Sequence, residues 1–198
     1  MTSPRSSDAD ISDRPHNHEL LPTPNEPFMT SADPFEIKLE KAQILEQLLA
    51  RVGYAVWQCA ECEYTLATLV VVHLRSARGV GEDAGQKLLA AAERRTFGQA
   101  LAELRKAGVL PAEVEQRALD LLAERNWVVH RAKRDHRGVL NRASELDKLV
   151  QRLDRVGEEA LQVNKSLAAE LEEFVVRSGV DRSHVDEEAA KVAAAWGY

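Results

Sequence analysis

The residues best equipped for chemistry lie in one short run, Glu124-Arg125-Asn126-Trp127-Val128-Val129-His130-Arg131. On an α-helix Asn126 and His130 are one turn apart and share a face. The long side chain of Arg125 can swing to the same spot, and Val128 and Val129 can anchor the ridge in a core. A permanent cation, an amide and a titrating base are thus brought together, a set suited to phosphodiester cleavage. Imidazole, with an ordinary pKa of ~6.5, gives or takes a proton near neutrality. Guanidinium pairs with phosphate oxygens in a fork and stabilises the charge that develops on them. RNA carries its own nucleophile, the 2′-hydroxyl, so chemistry of this kind requires no metal and no cofactor. The competing reading of the three residues is an exposed polar patch or a structural network.

Charge is one-sided just downstream. From 125 to 142 six basic residues (Arg125, Arg131, Lys133, Arg134, Arg137 and Arg142) stand against one acid, Asp135, a local +5 in a chain of net charge −6. Such a concentration is the footprint of a polyanion partner, and Arg131, Lys133, Arg134 and Arg137 are its candidate RNA contacts. The whole molecule, being acidic, is no general nucleic-acid binder. His136, in the same basic loop, reads as a surface histidine.

The elements that must position these groups are helical. Asp33, Pro34 and Glu36 form a helix-start pattern, and apolar residues then recur at helical spacing from Ile37 to His73. This predicts one long helix to about residue 76, with Gly53 a candidate bend. Ser76 to Gly85, with three glycines, reads as a loop, and a short helix follows around 88–95. Thr96 and Gln99 make a capping box, and Gly108 ends the helix they open. Pro111 opens the helix that carries the ridge. A second long helix is expected from about Ser144 to Arg177, ended by Gly179, and Ser183 starts a last Ala-rich helix reaching Trp196. No stretch alternates with period two. The expected fold is all-α, an up-and-down bundle of about five helices over 34–178, followed by a C-terminal helix in 179–198. Residues 1–33, with five of the seven prolines, are expected to form a disordered tail.

Cysteine usage excludes a disulfide scaffold, since only Cys59 and Cys62 are present. Their C-x-x-C falls mid-helix, where a redox pair is not expected, and no further ligands at zinc spacing accompany it. No apolar run approaches the roughly 20 residues that span a bilayer, and no signal peptide opens the chain, so no membrane association is expected and the cytoplasm is the default compartment. His73, Trp57 and Trp127 read as core or interface residues. Glu36, Glu40, Glu46, Glu61 and Glu63 on the first helix either assist the histidine of a second copy or form a solvated face.

The motif Arg125-Asn126-Trp127-Val128-Val129-His130 resembles the Arg-(Asn/His/Asp)-x-x-x-His signature of HEPN (higher eukaryotes and prokaryotes nucleotide-binding) domains. The run T-F-G-Q-A-L-A-E-L-R-K-A-G-V-L-P, residues 96–111, also looks like the layout of bacterial members. The likeness extends over about 36–177 and is specific over about 96–131. It implies a helical bundle that homodimerises with its motifs facing each other. It further implies a metal-independent endoribonuclease of the toxin–antitoxin or defence kind, with Arg125, Asn126 and His130 as the catalytic residues and an antitoxin protein as a potential partner. Some toxin members carry a tyrosine two residues beyond the histidine, where a partner nucleotidyltransferase modifies them. This chain has Ala132 there, which puts that form of neutralisation in doubt. Other members keep the fold without nuclease activity, so the alternative implied is a non-catalytic helical protein for interaction or for nucleotide or RNA binding.

Overall fold

The computed structural model describes residues 33–76 and 80–195. Among them all regular structure is helical: α1 (Pro34–Val70), α2 (Glu82–Ala92), α3 (Phe97–Ala107), α4 (Ala112–His130), α5 (Ala132–Asp135), α6 (Ala143–Arg177) and α7 (Arg182–Ala195). The expected all-α bundle is therefore present. Of the expected tail, residues 1–33, only Asp33 is described, as the residue that caps α1; residues 1–32 lie outside the described ones, as does the proposed end of the last helix at Trp196.

Local chemistry explains most of the boundaries. Asp33 accepts a hydrogen bond from the Phe35 N–H at 2.9 Å, with Pro34 at the first helical position. Thr96 and Gln99 exchange the two bonds of a capping box at the start of α3, and Gly108 closes that helix at φ 63°. Pro111 sits one position before α4, as its N-cap. Three details differ from the sequence expectation. Helix α2 begins at Glu82, inside the supposed glycine loop, because Glu82 and Asp83 favour a first turn and Gly85 is tolerated within it. The basic loop contains the short α5 and a 3-10 turn at Val139–Asn141. Gly53 lies within unbroken α-helix, and the irregularity comes later, as a π-turn at Val71–Arg75.

The two long helices form the spine, α1 packed along α6, with α3 and α4 completing the bundle. Close approach is achieved with small residues. Ala55 and Ala160 are fully buried, and a Cβ on Gly157 would lie 2.7 Å from the Tyr54 ring. Phe97, Leu66, Leu69, Leu101, Leu104, Leu121, Leu153 and Leu167 fill the core. The first half of α1 departs from its expected role. Of the periodic apolar positions expected to face the core, Ile37 and Val56 are each 39% exposed; Leu39, Leu45 and Leu49 beside them are exposed too, as is Trp57 at 60%. Helix α1 has 37 residues, about 55 Å of helix, and outruns the shorter α3 and α4 on that side.

His73 closes the far end of the spine. Its ring lies 4.1 Å from that of Phe174, and its Nε2 is buried without a hydrogen-bond partner among the described residues. Burial, then the nearby positive charge of Arg177, holds its pKa below 6.5. On acidification the unfolded chain therefore takes up the proton first, so the contribution of His73 is complete above about pH 6.5 and is lost as the pH falls through the folded value. Urea midpoints measured from pH 7.5 down to 5 are expected to fall less steeply in His73→Gln than in wild type. Parallel slopes would contradict this.

Candidate functional site

The ridge sits where α4 ends. Asn126 and His130 are exposed and share a shallow depression with Ala123, Trp127 and Arg131. This is the i, i+4 placement expected from the sequence. Arg125 turns the other way, toward α1, where its Nη2 pairs with Glu63 Oε1 at 2.8 Å. Its Nη1 stays 3.4 Å from Asn126 Oδ1. The amide thus bridges two half-sites: it touches the arginine on one side and shares the depression with the histidine on the other. No hydrogen bond joins Arg125 to His130 among the described residues. Both members of the Arg125–Glu63 pair are three-quarters covered, so the guanidinium is held in place while part of its donor fork stays accessible.

Beneath the depression, the helix end is braced by a stack that the sequence did not announce. Arg152 of α6 lies 3.5 Å over the Trp127 ring and grips Glu124 with two bonds, at 2.8 and 3.0 Å. On Trp127, His136 packs edge-on with ring centroids 5.8 Å apart. A cation over an indole face is attracted by the ring quadrupole, and a forked guanidinium–carboxylate pair fixes orientation. Trp127 is buried, as expected of a core anchor, whereas His136 is half-buried rather than a surface histidine, with its Nδ1 enclosed.

The four candidate RNA contacts divide. Arg131 lines the depression itself, and Lys133 lies instead on the rim of an apolar groove toward α1. The Arg134 guanidinium leans on Asp135 at 3.3 Å. Arg137 is exposed, and its carbonyl accepts a 2.8 Å bond from Arg142, which also pairs with Glu145. Arg142 is therefore occupied in holding the turn. Of the acids on α1, Glu63 is engaged within its own chain, with the arginine rather than with a histidine.

Cys59 and Cys62 are buried in the core, Cys62 donating to the Ala160 carbonyl at 3.2 Å. Burial is the main cause that pushes their pKa values up, to about 11 for Cys59 and about 12 for Cys62. The thiolate is the reactive form, so at pH 8 Cys59 is expected to react with a disulfide reagent on the order of 10² times more slowly in the native protein than in denaturant, and Cys62 more slowly still. Equal rates would show that the C-x-x-C is open. Among the described residues no three His, Cys, Asp or Glu side chains cluster as metal ligands, and no helix is long and apolar enough to cross a membrane. No family model matches the chain, and no curated protein or solved structure matches it.

Proposed function

We propose that the end of α4 is the catalytic ridge of a metal-independent endoribonuclease of HEPN type, acting in the cytoplasm. The observation that carries this reading is the Asn126–His130 depression, with Arg125 held next to Asn126, on its α1 side, by Glu63. His130 takes the proton of a ribose 2′-hydroxyl, which attacks the adjacent phosphorus. Arg125 and Arg131 stabilise the charge on the phosphoryl oxygens, and Asn126 orients the phosphate. The 5′-oxygen leaves with a proton, and the product ends are a 2′,3′-cyclic phosphate and a 5′-hydroxyl. One imidazole cannot serve both ends of an in-line displacement in the same step, so the acid is His130 of a second copy. The working unit is a homodimer with the two ridges near its two-fold axis, and a toxin or defence role with a neutralising antitoxin protein is the corresponding biology.

The test is incubation of purified protein with a single-stranded RNA and the DNA of the same sequence. RNA is cut in the presence of a chelator, and DNA survives because it lacks the 2′-hydroxyl. A magnesium requirement would sink the mechanism. Light scattering at micromolar concentration is expected to give twice the 22.0 kDa chain mass, and a monomer would remove the second imidazole.

A second reading, a non-catalytic helical interaction protein, draws on a different observation: the exposed Leu39, Trp57 and Tyr64 along α1. It takes over if no RNA is cut under any condition.

A further inference from the structure

A large apolar recess lies on the other side of α4 from the ridge. It is a groove of about 830 Å³ between the first half of α1, the end of α4, the turn at Val139–Asn141 and α6. Leu45, Leu49 and Val56 of α1 and Val129 of α4 line it and are each more than a third exposed. Its rim is cationic, with Lys41 on one helix and Lys133 on the other. Lys41 donates to Asn141 Oδ1 at 2.7 Å, which ties α1 to the turn at one end of the groove.

Two properties of the 32 residues that precede Asp33 match this groove. The first is charge. Asp8, Asp10, Asp13, Glu19 and Glu26 outnumber Arg5 and Arg14, giving −3 opposite the lysine rim and the basic 131–142 segment beyond it. A second copy of the chain would instead set one lysine rim against another. The second is reach. Leu20 and Leu21 form the only adjacent aliphatic pair in that stretch, flanked by Glu19 and, after three prolines, by Phe28. The 12 residues from Leu21 to Asp33 span roughly 40 Å when extended. Back along α1, the 22 residues from Pro34 to Val56 occupy about 33 Å. Pro22, Pro24 and Pro27 favour an extended course with few backbone donors, which suits a strand laid along a groove with no sheet edge to pair with.

We infer that the chain's own segment Glu19-Leu20-Leu21 returns antiparallel to α1 and seats its leucines in this groove, with Glu19 beside the lysine rim. The groove is then an intramolecular docking site, and its occupant lies next to the basic segment.

A nitroxide placed on full-length protein at Thr23→Cys tests this. The native thiols are buried, so the label goes to the introduced one. Methyl resonances of Val56, Val129 and Val139 are expected to lose most of their intensity to the label, while those of Val163 in the core keep theirs. The loss persists on dilution and disappears when Leu20→Asp and Leu21→Asp are added. Val129→Lys, at an exposed wall position, abolishes it too. Uniform intensities across all methyls would overturn the docking. So would a loss seen only when label and isotope sit on different molecules, which would make the occupant a second copy.

Discussion

His130→Ala is expected to cut RNA between about 10² and 10⁴ times more slowly than wild type, with the helical content unchanged. The magnitude is that of removing a general acid–base group. The fold should not register the change, because His130 is exposed and no described side chain hydrogen-bonds to it. Arg125→Lys is a sharper probe of the same site. It keeps the charge and the reach to Glu63 but loses the planar fork, so cleavage falls while the Glu63 pairing survives. Gel-resolved cleavage rates at saturating RNA, with circular dichroism on the same samples, give both readouts. A His130→Ala protein as fast as wild type would mean that the imidazole does no proton transfer.

Phe97→Ala is expected to cost about 3–5 kcal/mol of folding stability. Phe97 is 1% exposed at the first position of α3, joined to the main core cluster and fixed from behind by the Thr96 capping box. Truncation leaves a cavity that a capped helix end cannot easily close over. At this chain length a loss of that size lowers Tm by about 6–20 °C. Trp57→Ala, which deletes a larger side chain, is expected to stay within about 0.5 kcal/mol because Trp57 is 60% exposed. Urea denaturation of the two variants separates position from size. Equal midpoints would mean that α3 is not seated in the core as described.

What the sequence announced was mostly local. The caps at Asp33 and Thr96, the glycine at 108 and the one-turn spacing of Asn126 and His130 are consequences of short-range rules, and each stands in the structure as read. What it hid depends on register between distant helices. Five acids on α1 were equivalent candidates, and only the packing of α1 against α4 selects Glu63 for Arg125. Arg152 carried no signal at all, since nothing in its neighbourhood tells that a tryptophan face and Glu124 lie opposite. Ile37 and Val56 follow the same periodicity as buried Cys59 and Leu66, yet both are more than a third exposed. Burial is decided by how far the partner helices extend, which a periodic pattern does not encode.

The pairing of α1 with α6 also sets a timetable for synthesis. Cys62 meets Ala160 across 98 residues, and Lys41 meets Asn141 across 100. Helical bundles ordinarily fold through near neighbours and fold fast. Here α3 and α4 can close on each other early, but the spine cannot zip until α6 has left the ribosome. At ordinary elongation rates of ~5–20 residues per second, α1 spends about 5–20 s without its main partner. Through that interval the face carrying Ala55, Cys59 and Cys62 lacks the cover that α6 gives it in the folded bundle.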